Sequence, residues 1–419
     1  VIEFLIGLAA LVPTTLAGSL LVRIVDYRGS LRAGETVALG YGIGAGLLAW
    51  EMLCFQILGW QFSLLKLWLP MIGVCGLLYG IRPRITAPKL PSFTRAKYRR
   101  LETLVFLGIS FQMILIFGRA LSEPMEAYDA VSNWGLKAKA IFLAQSIPAD
   151  FLKNPEYRTF HPDYPLLIPL LESSIYFAVG GISDTVSKSI FPFYLLSCAA
   201  LFHVCLRRAG LSLRTALIFT FFMVSVPFVT EQATNGYADI VICFYFGISS
   251  LFLFLWLQTE NVPFLTLSAL LAGFAALTKN EGLVLGLILT LGLLLQSVRR
   301  RRGRSLIRIW QPALTYVSIW VFVALPWLYL KVSLDLRNDV VNATTLSSAI
   351  AWSSFERIVP ILYHFQTQVF GPKNWNVVWI VFLAALILRW RNLSKRPATL
   401  ILGSAAATLL CYASIYLVT

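Results

Sequence analysis

PLLIPLLESSIYFAVGG, residues 165–181, is the stretch whose placement decides the topology of this chain. A membrane-crossing helix needs about 17 to 25 predominantly apolar residues. This stretch approaches that length, yet it carries Glu172 together with Pro165 and Pro169. The basic clusters settle how to read it. They lie at 23–32, 82–100, 207–214, 299–308 and 389–396, and short loops rich in Lys and Arg stay on the cytoplasmic side. All five clusters share that side only when 165–181 does not cross. The stretch is therefore expected to lie in, or dip into, the outer leaflet.

Outward from it, apolar runs recur near 1–22, 36–58, 63–81, 101–122, 188–206, 215–230, 238–257, 263–278, 281–298, 309–330, 375–389 and 398–417. With 58% hydrophobic and 13% charged residues over 419 positions and a mean hydropathy of +0.74, the chain reads as an all-α polytopic membrane protein of about 12 transmembrane helices. The net charge of +15 sits in short loops between apolar runs. That is topogenic charge facing anionic headgroups, and it excludes a nucleic-acid partner. Cys54, Cys75, Cys198, Cys205, Cys243 and Cys411 lie in or at the ends of apolar runs without CxxC spacing, so they read as packing residues. No cleavable signal peptide is recognisable, and the first span can itself target the membrane. GYGIGAG at 40–46 places small residues at helical spacing, which lets helices approach closely.

With 165–181 on the outside, residues 123–187 become one long external segment. Its first helix is expected over about 128–147. Val131, Trp134, Ala138, Ile141 and Phe142 form its apolar stripe, and Asn133, Lys137 and Gln145 lie off it, as in a helix resting flat at the interface. Asp129 falls in the first turn, where the helix dipole favours a carboxylate. Taken alone, Asp129 is equally readable as a simple helix-start acid.

Four polar constellations stand at external ends of spans or helices: Glu126 with Asp129, His161 with Asp163, Asp239 in NGYADI, and Lys279 with Glu281 in LTKNEG. Ionisable groups at membrane depth are costly and mark function by default. Each also has an ordinary reading, since Lys279 can snorkel, Asp239 can start a helix and HPDYP can be a turn. A further external loop, 331–374, carries Asp335, Arg337, Asp339, Glu356, Arg357, His364 and Lys373 and an expected amphipathic helix over 345–370 that would roof the cavity. NATT at 342–345 fits the N-x-T acceptor pattern. His161, His203 and His364 are far apart and lack metal-ligand spacing, so no metal and no cofactor are expected, with a carboxylate-bound divalent cation left open.

An external Asp ahead of an amphipathic helix, a PLL motif opening a second helix, YAD at the start of a span and TK inside a Gly-bracketed hairpin occur here in that order. The ordered set resembles the C-type (GT-C) membrane glycosyltransferases, the group that includes protein mannosyltransferases and the lipid A aminoarabinose transferase. The likeness covers 101–300 and implies that this is the catalytic core. Residues 1–100 would then be additional transmembrane helices, and 301–419 C-terminal ones carrying the loop 331–374. The resemblance implies that Asp129 is the catalytic base, that Lys279 lies near a lipid phosphate, and that Asp239 has a structural or acceptor-side role. Many such enzymes carry two adjacent acids where this chain has Asp129 followed by Ala130. Either Glu126 supplies the second acid or none is needed.

The residue types fit this chemistry on their own terms. A sugar on polyprenyl phosphate has an activated anomeric carbon and an anionic leaving group, so one base and some cations suffice. A carboxylate taking the acceptor proton as attack develops contributes about 100- to 10,000-fold. Lys279, His161, Arg357 and His364 could hold the departing phosphate, with Asp163, Asp239 and Glu281 on the same substrate-binding side. Single displacement would invert the anomeric centre. No GxGxxG nucleotide motif is present, which agrees with a lipid-linked donor. The acceptor is a lipid, glycan or protein, and the expected setting is the bacterial inner membrane with the site facing the periplasm or outside. Two other classes fit the same polar residues: a transporter or lipid flippase, and a surface-polysaccharide polymerase or ligase.

Overall fold

The computed structural model describes residues 2–81, 99–299, 306–338, 356–393 and 398–418, and within them every regular element is helical. The α-helices are α1 (Ile2–Val25), α2 (Ala33–Ile57), α3 (Leu64–Ile81), α4 (Arg100–Ser122), α5 (Leu136–Ala144), α6 (Ala149–Lys153), α7 (Leu167–Val179), α8 (Asp184–Ser187), α9 (Ile190–Arg208) and α10 (Leu213–Val224). They continue as α11 (Pro227–Gln232), α12 (Asp239–Thr259), α13 (Val262–Ala276), α14 (Glu281–Arg299), α15 (Leu306–Ser333), α16 (Ile358–Phe370), α17 (Pro372–Trp375), α18 (Val378–Leu393) and α19 (Ala398–Val418). Among the described residues, eight helical segments are long and apolar enough to cross a membrane: α1, α2, α3, α4, α8 with α9, α12, α14 and the part of α15 from Trp310. Helices α7, α10 and α13, and the stretches Val378–Leu388 of α18 and Ala398–Ala413 of α19, are apolar but shorter. The chain is an all-α, multi-span membrane protein.

The expected run over 215–230 is not one helix. α10 stops at Val224 and α11 starts afresh at Pro227, because proline has no N–H to continue the ladder. α7 has 13 residues, about 20 Å of helix, short of the roughly 30 Å of hydrocarbon. Its surroundings differ from the expectation, for Leu167 to Tyr176 are buried without a break against α1, α2 and α5. Protein, rather than the outer leaflet, covers it. That enclosure accounts for Glu172, whose two carboxyl oxygens have no hydrogen-bond partner among the described residues. Burial, followed by the nearby Asp184 carboxylate, pushes it well above the ordinary range, with Lys139 opposing, so a neutral acid occupies the apolar helix.

The core is seamed by glycine. A Cβ on Gly18 would come within 2.0 Å of the Gly40 carbonyl oxygen, and one on Gly44 within 1.9 Å of the Thr14 carbonyl oxygen. The GYGIGAG run therefore lets the backbones of α1 and α2 touch. On its other side Gly42 and Gly46 meet the rings of Phe244 and Phe274. The Tyr41 hydroxyl donates to Ile190 O at 2.7 Å and the Tyr245 hydroxyl to Gly42 O at 2.7 Å. α1 and α2 are thus packed into the same core as α9, α12 and α13.

The bundle has two chemically distinct ends. At one, Arg208 pairs with Glu35 and donates to Ser30 O at 2.8 Å, Arg214 pairs with Glu102 at 3.2 Å, and Asn261 donates to Ser30 Oγ at 2.8 Å. These contacts collect the basic turns of α1–α2 and α9–α10 and the α12–α13 turn with the start of α4. Since α12 runs the length of the bundle, its first residue, Asp239, stands at the opposite end. Asp339, the N-x-T pattern at 342–345, the first part of the expected 345–370 helix and the basic loops 82–98, 300–305 and 394–397 lie outside the described residues.

The glycine seam is testable. Gly44→Val should lower unfolding stability by about 3 kcal/mol or more, because backbone rather than a flexible side chain blocks the added methyl groups. Gly76→Ala, which meets nothing within 4 Å, should be neutral in the same unfolding titration. Equal behaviour of the two variants would show that the seam does not set the α1–α2 distance.

Candidate functional site

At the end away from the basic turns, the connection between α13 and α14 is TKNEG, residues 278–282. α13 stops at Ala276, and Glu281 opens α14. The turn is tight, since a Cβ on Gly282 would come within 1.9 Å of the Ala275 carbonyl oxygen. It lifts Lys279 to the mouth of the bundle. There its ammonium lies 3.3 Å from Asp239 and 3.7 Å from Glu281. Burial works against the charge on Lys279, but the Asp239 and Glu281 carboxylates outweigh it, and the amine is held above its ordinary value. It stays an ammonium through neutral pH.

A second ion pair flanks the first. Lys331, in the last turn of α15, lies 3.2 Å from Asp163, whose side chain is 0% exposed. Asn280 joins the two groups, donating to Asp163 Oδ2 at 2.7 Å and accepting from Lys331 at 3.2 Å. The neighbouring Leu167 N–H donates to Leu277 O at 2.9 Å. The loop that carries HPDYP is in this way bolted onto the α13–α14 turn. The two pairs have different availability. Lys331 is saturated by a buried carboxylate, and breaking such a pair strands a charge. Lys279 faces an Asp239 whose side chain is 44% exposed, a pairing that is cheap to exchange.

The segment 123–187 approaches this cluster beside Tyr237. Gly236, at φ +87°, closes the NGY turn, with Tyr237 N–H donating to Asn235 Oδ1 at 3.0 Å. A Cβ on Gly236 would sit 3.0 Å from the Ala130 Cβ and 3.5 Å from the Met125 Cε. Burial, then the Asp129 carboxylate, raises the Tyr237 phenol above its ordinary value, and Asp239 and Glu231 add to this. Asp129 and Asp239 therefore flank one tyrosine. Asp129 is exposed and leads directly into a π-helical stretch, Ala130–Gly135, in which the Leu136 N–H reaches back to Val131 O. Such wide turns recur at functional sites.

That stretch also rotates the register of the helix behind it, so the expected amphipathic pattern is corrected. Asn133 and Lys137, read as the polar face, are buried, whereas Val131 is exposed. Lys137 survives burial because it donates to Asn133 Oδ1 at 2.7 Å and to His161 O at 2.6 Å, and lies 5.5 Å above the Trp134 ring and 5.9 Å above Tyr164. Charge-assisted hydrogen bonds and aromatic faces replace its water. The His161 ring in turn stacks on Tyr164 at 4.8 Å.

Of the residues singled out by sequence, Asp163, Asp239, Lys279 and Glu281 form one connected cluster, and Asp129 joins it through Tyr237. Glu126 is exposed in the same segment, which Lys188 ties down by donating to Glu123 O and Pro124 O. His161 serves the island through its backbone and ring. Arg357 and His364 are exposed at the start and on the face of α16, where the His364 ring meets Tyr363. They take no part in the ion-paired network. The contributions of Lys331, Asn280, Tyr237 and Lys137 to this arrangement were not read from the sequence. Lys331 reads as the charged end of an apolar run, but its position one helix-length after an arginine-rich turn was a usable signal. Among the described residues no three His, Cys, Asp or Glu side chains are grouped to hold a metal ion. No family model, no curated protein and no solved structure matches the chain.

The buried pair makes a specific claim. Lys331→Met should cost about 3–5 kcal/mol, the penalty for stranding a buried carboxylate. The double variant Lys331→Met with Asp163→Leu should cost well under the sum of the single changes. Strict additivity in chemical unfolding would show that the two side chains do not interact.

Proposed function

We propose that the protein is an inverting glycosyltransferase that moves a sugar from a polyprenyl-phosphate donor to an acceptor at the extracytoplasmic face of the membrane. One observation carries the reading. An exposed carboxylate, Asp129, and an exchangeable ammonium, Lys279, open on the same end of the bundle, opposite the basic turns, and are linked by Tyr237 and Asp239. The positive-inside rule makes the basic end cytoplasmic and this end external. The ordered motifs that resemble GT-C transferases fall on these same residues.

In the proposed reaction a lipid-linked sugar phosphate takes Lys279 from Asp239, the solvent-facing and weaker of the available pairs. Lys331 stays with Asp163 and holds the 278–282 turn in place. Asp129 accepts the proton of the acceptor hydroxyl as its oxygen attacks the anomeric carbon from the face opposite the phosphate. The C–O bond to phosphate breaks, and the charge that leaves with the lipid phosphate is met by Lys279. Tyr237 lies near Asp129, in the turn that Gly236 packs against Ala130. Glu126 lies three residues ahead of the base and can steer the acceptor.

With a polyprenyl-phosphate sugar as donor, Asp129→Asn should lower kcat about 100- to 10,000-fold with little change in donor KM. Lys279→Ala should raise donor KM as well as lower kcat. Because the Lys279 value is raised, its charge is complete below the ordinary lysine value and is lost only as pH climbs through the raised one. Wild-type transfer should accordingly show no alkaline loss from this group below about pH 10. Asp129→Asn activity within a few fold of wild type would remove Asp129 from the role of base.

A further inference from the structure

α7 carries an ionisable residue that the ion-paired mouth does not use. Glu172 is 0% exposed, and neither of its carboxyl oxygens meets a hydrogen-bond donor among the described residues. The donors beside it are engaged elsewhere. Ser173 Oγ donates to Leu170 O at 2.9 Å and Ser174 Oγ to Leu171 O at 2.6 Å, and one turn on, the Tyr176 hydroxyl donates to Asp184 Oδ1 at 2.7 Å. An ionised carboxylate left in such a place without a donor is so costly that the group keeps its proton instead. The neutral acid is therefore the form that this packing fits.

Two charged groups on the elements packed against α7 act on Glu172: the Asp184 carboxylate of α8 and, in the opposite sense, the Lys139 ammonium of α5. They pair with each other at 2.7 Å, and their side chains are 32% and 29% exposed. The pair thus gives Glu172 a way to water past Tyr176, but its cation is already taken. Lys137 of α5 is held by Asn133 and His161 O, Glu3 of α1 accepts from Ser183, Tyr41 of α2 donates to Ile190 O, and Lys66 of α3 donates to Gln61 O. Glu51 of α2 lies toward Cys54 and Cys75. The two ends of α7 are held differently. Its start is fastened by Leu167 N–H to Leu277 O at 2.9 Å, next to the turn that lifts Lys279. Its end is Gly180, at φ +80°, followed by Gly181, and nothing stands within 4 Å of a Cβ built on either.

We infer that Glu172 is a proton-binding site, and that the proton it holds keeps α7 docked against the turn at 278–282. The inference goes beyond the transferase reading and does not depend on it. When the proton leaves, it passes to water at the Lys139 and Asp184 pair. Two carboxylates then share one ammonium, and the new one stands in apolar packing. α7 swings about Gly180 and Gly181 to bring Glu172 out to that pair, and the contact of Leu167 with Leu277 opens. The direction with pH follows from the docked form being the neutral one. Docking is strongest below the ordinary glutamate value, weakens steadily as pH rises above it, and is lost as pH climbs through the higher value that burial gives the docked acid.

The experiment is hydrogen exchange of the purified full chain in detergent, read by mass spectrometry over a pH series that starts in the ordinary carboxylate range and runs into the alkaline range. Each rate is divided by the intrinsic chemical rate at that pH, so that it reports opening alone. In the wild type, protection of the α7 peptide should fall by about tenfold per pH unit, the slope for release of one proton, while protection of the α12 peptide stays flat. In Glu172→Gln the α7 slope should vanish, and Glu172→Met gives the same readout without a polar group in the core. Should neither variant fold, the two neighbouring charges serve in their place. The decline should level off at lower pH in Asp184→Asn, which removes the charge opposing ionisation, and at higher pH in Lys139→Met, which removes the charge favouring it. A flat α7 profile in the wild type, or an unchanged slope in a folded Glu172 variant, would overturn the inference. Shifts of the opposite sense in the charge variants, or an equal loss of protection in α12, would do the same.

Discussion

The arrangement depends on paired charge at the mouth of a hydrophobic bundle. Lys279, Lys331, Asp163, Asp239 and Glu281 come from four separate parts of the chain, and Asn280 stands between the two lysines. None of these groups could be left alone at that depth, since an isolated charge in a medium of low dielectric is expensive. Pairing therefore fixes where the ends of α12, α14 and α15 and the loop before α7 must meet. Ion pairs of this kind add little net stability compared with apolar packing. Their contribution is positional, and it is divided unequally. The Asp163–Lys331 pair has its carboxylate enclosed and serves as a fastening, whereas the Asp239–Lys279 pair is open to solvent on its carboxylate side, with Lys279 itself 15% exposed. In the proposed reaction, a lipid phosphate would take Lys279 from Asp239 while Lys331 stays with Asp163.

Below that mouth, close packing is bought with glycine. Where α1 and α2 touch backbone to backbone, the rings of Phe244 and Phe274 fill the other face of the same GYGIGAG run. Between α18 and α19 the opposite holds: bulky aromatic residues face small ones across an open gap. Small residues at helical spacing thus have two structural outcomes in one chain, and the difference lies in what stands opposite them. Residues at 40–46 face backbone and complementary rings. Gly403, Ala405 and Ala406 face a wall that does not reach them.

Much of this was legible from hydropathy and charge. The membrane class, most spans and the gathering of Asp163, Asp239, Lys279 and Glu281 at one end followed from apolar run length and the placement of Lys and Arg. Periodicity failed at Asn133 and Lys137, because a π-helical stretch changes the residues per turn and no composition signal announces it. It failed again over 215–230, where Pro227 deserved more weight as a helix start. α7 was read as covered by lipid because sequence cannot say whether an apolar face meets protein or hydrocarbon. Lys331 and Asn280 were overlooked because their significance is relational: each matters only through Asp163, far away in sequence. Arg357 and His364 were singled out by residue type, and both stand exposed at α16, apart from the ion-paired cluster.

The central claim is that the Asp129 carboxylate and the Lys279 ammonium share one external pocket. The most direct measurement is thiol cross-linking in a background without the six native cysteines, with Asp129→Cys paired first with Tyr237→Cys and then with Lys279→Cys. A short membrane-impermeant bismaleimide is added to sealed, right-side-out vesicles. The account predicts that all three positions are labelled from outside and that Asp129→Cys cross-links rapidly to Tyr237→Cys and measurably to Lys279→Cys. Labelling of 129 and 279 from opposite faces, or efficient single labelling with no cross-link in either pair, would contradict it.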